Sequence, residues 1–70
     1  MRLTKEEIAL LAAACGDRNN AKAQELVNVV GTAGATEIVA HIALLPLELQ
    51  RDLERHVREA LDEQRRRVRR

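Results

Sequence analysis

The chain reads as an all-α protein: a small four-helix bundle in which three short helices precede a longer, partly projecting C-terminal helix. Three observations predict this. Aliphatic residues recur every three or four positions along most of the chain, the period of a helix with one buried face. A capping box opens the first apolar run, and Gly16, Gly31 and Pro46 fall where successive runs break. The last third is one long aliphatic stripe edged with acids and arginines four apart.

The first helix is predicted over residues 4–15. In Thr4-Lys5-Glu6-Glu7 the Thr4 hydroxyl can accept from the Glu7 amide while the Glu7 carboxylate reaches back to the Thr4 amide. Leu3 and Ile8 occupy the two positions of a hydrophobic staple. Glu6 and Glu7 also suit the positive end of the helix dipole. The apolar face is Ile8, Leu11, Ala12 and Cys15, and Gly16 is expected to stop the helix in a left-handed conformation. Asn19 or Asn20 can cap the second helix, predicted at about 20–30 with Ala23, Leu26, Val27 and Val30 on one face. Gly31 ends it. Thr32, Ala33, Gly34 and Ala35 make a small-residue turn, and Thr36 is the expected N-cap of the third helix.

The third helix, at about 36–45, differs in kind. Ile38, Val39, Ala40, Ile42, Ala43, Leu44 and Leu45 leave it almost no polar face, and a helix apolar all round is buried on most sides. So short a chain is not expected to enclose it, which points to an intermolecular interface. Pro46 ends this helix and suits the first turn of the next, which is predicted to run to Val68. The stripe of that fourth helix is Leu49, Leu53, Val57, Ala60 and Leu61. Glu54–Arg58, Asp62–Arg66 and Glu63–Arg67 are its expected i,i+4 pairs, each worth about 0.2–0.5 kcal/mol. Beyond Leu61 only Val68 is apolar, so the last two turns are expected to project. Residues 1–64 therefore make a single helical domain, and 65–70 its basic C-terminal end.

Composition bounds the function. A chain of 70 residues buries only about 60% of its unfolded surface. With no Phe, Tyr or Trp, its core must come from smaller aliphatic residues. Domains of this size usually gain stability from disulfides, metals or a partner chain. Cys15 is the single cysteine, and two histidines without a Cys/His cluster make no zinc site. A partner chain is what remains. The 12 basic and 11 acidic residues nearly cancel, so net charge favours neither nucleic acid nor membrane. The start, MRLTKEEI, has no signal-peptide character, and the apolar run from Ile42 to Leu47 is too short to span a bilayer. A lone cysteine fits a reducing cytoplasm.

The chemistry-bearing residues are few. Arg65, Arg66, Arg67, Arg69 and Arg70 crowd the end of the chain. They can compensate the helix dipole, contact phosphate, or meet an acidic protein surface. No aromatic residue interleaves with them to stack on bases. A helix-turn-helix across the second and third helices would place Glu37 in its core and offer only Glu37 and His41 to base edges, which argues against a major-groove reader. His41 reads as a packed or partly exposed neutral ring, and His56 as a surface partner of Asp52. Cys15, at a helix C-terminus, is poorly placed for a nucleophile. Gly31-x-x-Gly34 is no phosphate loop.

No enzyme, cofactor or metal is therefore expected. The expected role is a non-catalytic interaction module, a small cytoplasmic adaptor or regulator that self-associates or docks on a larger protein. Its interface is placed on Ile38, Val39, Ile42 and Leu45, with Leu49, Leu53 and Val57 of the fourth helix. The alternative, from another class, is an accessory protein that contacts the nucleic-acid backbone through the five C-terminal arginines. No membrane partner is expected.

Overall fold

A computed structural model describes residues 1–31 and 34–68. These form four helices: α1 (Lys5–Cys15), α2 (Ala21–Val30), α3 (Ala35–Ala43) and α4 (Leu47–Val68). The all-α bundle with one long final helix is as expected. Thr32 and Ala33 of the predicted small-residue turn lie outside the described residues, as do Arg69 and Arg70.

The first cap forms as read. The Thr4 amide donates to Glu7 Oε1 at 2.9 Å, and the Glu7 amide donates to Thr4 Oγ1 at 3.1 Å. Gly16 does not stop α1 in the left-handed way expected. It stays right-handed at φ −85°, and the chain leaves the helix through a turn in which the Asn19 amide donates to the Asp17 carboxylate at 2.9 Å. Gly31 does need to be glycine, because its φ is +82°. The third helix begins earlier than expected. Gly34 is its N-cap, without a side-chain bond, and Thr36 is an exposed residue of the first turn. Pro46 precedes α4, where its missing N–H costs nothing.

Two glutamines close the ends of the preceding helices. Each is the fourth residue of its own helix. Gln24 Nε2 donates to the carbonyls of Cys15 (3.2 Å) and Asp17 (3.0 Å) beyond the last turn of α1. Gln50 Nε2 does the same for Ala43 (3.1 Å) and Leu45 (2.8 Å) after α3. Both satisfy carbonyls that a helix terminus leaves unpaired.

All six helix pairs touch, with α4 lying chiefly along α1 and α2. The core is Leu11 and Ala14 of α1, Ala23 and Leu26 of α2, Ala35, Ile38 and Ile42 of α3, and Leu53, Val57, Ala60 and Leu61 of α4. Four of these eleven are alanines, so helix backbones approach closely and little volume needs filling. The radius of gyration, 11.0 Å, matches the ~11 Å of a compact domain this long. The bundle covers one side of α3, burying Ala35, Ile38 and Ile42, and leaves Thr36, Glu37, Ala40, His41 and Ala43 exposed, in line with the expectation that so short a chain does not enclose this helix.

Among the described residues, no buried side-chain nitrogen or oxygen lacks a partner. Asn20 is the centre of this accounting. It is fully buried, and its Oδ1 accepts from the Ala23 amide at 3.2 Å, capping α2. Its Nδ2 donates across the bundle to the Ala60 carbonyl (3.0 Å) and to Gln64 Oε1 (3.1 Å). A helix cap and an interhelical tie are therefore one side chain.

Candidate protein-interaction surface

The seven residues expected at an interface divide into two groups. Ile38, Ile42, Leu53 and Val57 are buried in the chain's own core. Ile38, Ile42 and Val57 cannot meet a partner while the bundle is folded, and their place in the expected surface is corrected accordingly; Leu53, 6% exposed, keeps only an edge open to the outside. The physical reason is that α1, α2 and α4 together cover one side of α3. Val39 and Leu45 are half-buried against the core, and Leu49 is 49% exposed.

What α3 leaves uncovered is its opposite side. Ala40 and Leu44, one turn apart, are both exposed, as is Ala43. Leu44 is the most exposed large apolar residue, at 85%. Next to this ridge lies a groove of about 530 Å3 between α2, the end of α3 and the start of α4. Its apolar lining is Val29, Leu45, Leu49 and Leu53. Val29, absent from the expected interface, is 64% exposed. Its signal was available in the sequence: it sits off the Ala23–Leu26–Val30 face of its helix, so an aliphatic residue there has no core to enter.

Both histidines of the chain line this groove, with Glu25, Asn28 and Asp52. His56 does bond to Asp52, but to its backbone carbonyl, with Nδ1 at 2.9 Å. Its Nε2 meets Glu25 Oε2 of α2 at 2.7 Å. The expected side-chain pair with Asp52 is replaced by a tie between α4 and α2. With both ring nitrogens engaged, His56 has none left to serve as a base toward a bound molecule. His41 is exposed on the wall formed by α3.

The arginine end is more committed than its sequence suggests. Residues 65–68 are exposed and lie past the last buried residue, Gln64, yet Arg65 and Arg67 are tethered. Arg65 reaches Asp62 (3.3 Å) and Glu7 of α1 (3.5 Å). Arg67 reaches Glu63 (3.2 Å) and Asp17 (3.6 Å), and donates to the Asn19 carbonyl at 2.8 Å. Of the three predicted helix pairs, only Glu63–Arg67 forms. Asp62 takes Arg65 in place of Arg66, Glu54 meets the N-terminal amine at 3.5 Å, and Arg58 meets Glu7 at 3.5 Å. For Glu54 and Arg58 a tertiary neighbour replaces the local partner, and for Asp62 another arginine of the same helix does, because each local pair is worth only a few tenths of a kcal/mol. Among the described residues Arg66 is left without an ion pair.

Glu7 is held below the usual carboxylate range. The Thr4 amide lowers it most; partial burial opposes this, and the charges of Arg58 and Arg65 assist. Burial pushes the Cys15 thiol up, which leaves less thiolate at neutral pH. The described residues include no group of three or more His, Cys, Asp or Glu arranged to hold a metal ion. No single described helix is long and apolar enough to cross a membrane.

Compared with protein-family models, with curated proteins and with solved structures, the chain matches none.

Proposed function

We propose that the chain is a non-catalytic protein-interaction module, a small cytoplasmic adaptor or regulator that binds through the aliphatic surface on α3. One observation carries this: Leu44 stands 85% exposed beside a groove lined by Val29 (64% exposed), Leu45 and Leu49 (49%), so that exposed aliphatic side chains from α2, the end of α3 and the start of α4 meet on one side of the bundle. Singly exposed apolar residues are ordinary, but a contiguous ridge and groove on one side is the signature of a contact surface. The cytoplasmic assignment is supported by the lone, free Cys15.

The test compares the unmodified chain with Leu44→Glu and with Val68→Glu, an equally polar change at a distant exposed site. Self-association by sedimentation and retention of cellular proteins on the immobilised chain are read together. Binding that is lost in Leu44→Glu and kept in Val68→Glu is expected. A chain that neither self-associates nor retains any protein in a Leu44-dependent way would end this reading.

A second reading, backbone contact with nucleic acid, draws on Arg66, which has no ion pair among the described residues, and on the exposed Arg51 and Arg55. It is weakened by the carboxylates that hold Arg65 and Arg67.

A further inference from the structure

The groove beside the end of α3 joins an apolar lining to an acidic edge. Val29, Leu45, Leu49 and Leu53 supply the aliphatic surface. The acids among its lining residues are Glu25 of α2 and Asp52 of α4; the other titratable groups are His41 and His56, and no Lys or Arg is among them. Two more carboxylates continue the same lines. Glu37 stands one turn before His41 on α3, and Glu48 one turn before Asp52 on α4, both exposed. The chain as a whole carries a net charge of +1, so this acidic border is a local departure from its balance.

Most of that negative charge is unanswered within the chain. Glu25 is met by His56, whose Nε2 lies 2.7 Å from its Oε2. Asp52, Glu37 and Glu48 form no ion pair among the described residues. Arg51 and Arg55, the basic residues of α4 nearest to Asp52 in sequence, are exposed, lie outside the lining and pair with none of these acids.

Charge therefore discriminates between occupants. A phosphate backbone or an acidic protein would meet like charge at this groove. A second copy applied through the same patch would set Glu37, Glu48 and Asp52 against their own equivalents. A basic partner finds countercharge on α3 and on α4. Shape narrows the choice further. Beside the groove stands the exposed ridge of Ala40, Ala43 and Leu44, which suits the long apolar stripe of a helix better than a compact small molecule.

We infer that the occupant of this groove is a basic amphipathic helix of another protein. Its aliphatic side chains enter between Val29, Leu45 and Leu49, and Lys or Arg residues flanking that stripe meet Asp52 and Glu48 on one side and Glu37 on the other. The inference rests on the interaction reading above and names the class of partner. Burial of the aliphatic stripe supplies the affinity, and the exposed carboxylates select its charge.

Three labelled synthetic peptides of about 16 residues, long enough to be helical, test it against the full chain by fluorescence anisotropy. The first places leucines at helical spacing with lysines on either flank. The second replaces the lysines by glutamate, and the third keeps the lysines but replaces the leucines by alanine. The first should bind at least about 10-fold tighter than either of the others, and weaken as salt is raised toward about 0.15 M. Asp52→Lys should weaken its binding at least about 5-fold, while Glu6→Lys, an equal charge change at an exposed position of α1, should change it less than about 2-fold. Circular dichroism checks that both variants remain helical. Equal binding of the lysine and glutamate peptides overturns the inference, as does no saturable binding of the first peptide up to about 1 mM chain, or an equal response to Asp52→Lys and Glu6→Lys. If the chain then still retains another protein in a Leu44-dependent way, the interaction reading survives and only the basic-helix assignment falls.

Discussion

Replacing Asn20 should unfold the bundle out of proportion to the size of the change. Asn20→Ala removes an N-cap acceptor, worth about 1 kcal/mol. It also removes two buried cross-bundle donations, to Ala60 and Gln64, worth about 1 kcal/mol each. The total is about 2–4 kcal/mol, with the upper end reached if Gln64 Oε1 finds no water at its 8% exposure. A domain of this length has about 3.5–10.5 kcal/mol to lose, at about 0.05–0.15 kcal/mol per residue. Asn20→Ser separates the two roles, since a serine hydroxyl can still cap α2 but cannot reach α4. It should cost about 1–2 kcal/mol, between the native chain and Asn20→Ala. Asn20→Asp keeps shape and cap but turns the cross-bundle donor into a buried acceptor facing the Ala60 carbonyl, so it should be at least as damaging as Asn20→Ser at neutral pH. Urea unfolding followed by far-ultraviolet circular dichroism measures all three, because the chain has no aromatic fluorophore. An Asn20→Ala cost below about 1 kcal/mol, or Asn20→Ser equal to Asn20→Ala, would refute the claim that the tie to α4 matters.

Three further expectations follow from the same structure. Ile42→Asp should abolish cooperative unfolding rather than merely weaken a contact, since it buries a lone carboxylate at a site 1% exposed; a folded variant would contradict the placement of Ile42 in the core. Glu7, whose folded pKa is depressed below 4.5, contributes stability at higher pH that disappears as pH falls through its folded value. Glu7→Gln should therefore be less stable near neutrality and show a shallower acid decline; parallel acid-unfolding curves would show that the Thr4 bond does not act on the charged form. If the arginine end binds DNA, a salt titration should give a slope shallower than the −4.5 or so of five engaged arginines, near −3 at most, because Arg65 and Arg67 hold carboxylates. Changing Arg65, Arg66, Arg67, Arg69 and Arg70 to Gln with no effect on affinity or slope would exclude the end altogether.

Much of this fold was legible because its signals are local. The Thr4–Glu7 box, the stop at Gly31 and the break at Pro46 are decided by residues within one turn of each other. The buried faces of α1, α2 and α4 follow largely from spacing, so Leu11, Leu26, Ala60 and Leu61 were readable as core, whereas Leu53 and Val57 of the same stripe were expected at an interface and are buried. The surface was less legible. A helix apolar on every side says that some face will be left over, but not which one. Ile38 and Ile42 were expected at an interface and are inside, while Leu44 and Val29, not among the expected interface residues, stand exposed. The missing information was the direction from which α1, α2 and α4 approach.

The sequence by itself determined four helices, their order, most of their ends and a surplus of aliphatic surface on the third. Each rests on hydrogen-bonding and packing preferences that act over a few residues. The tertiary structure alone decided which side of α3 is covered, that Asn20 spans from α2 to α4, that Gln24 and Gln50 close the helices before their own, and that Arg65 and Arg67 spend their charge on Glu7 and Asp17. These pairings join positions far apart in the chain. They are chosen by burial of the whole core, against which a single ion pair or i,i+4 preference carries too little energy to dictate a partner.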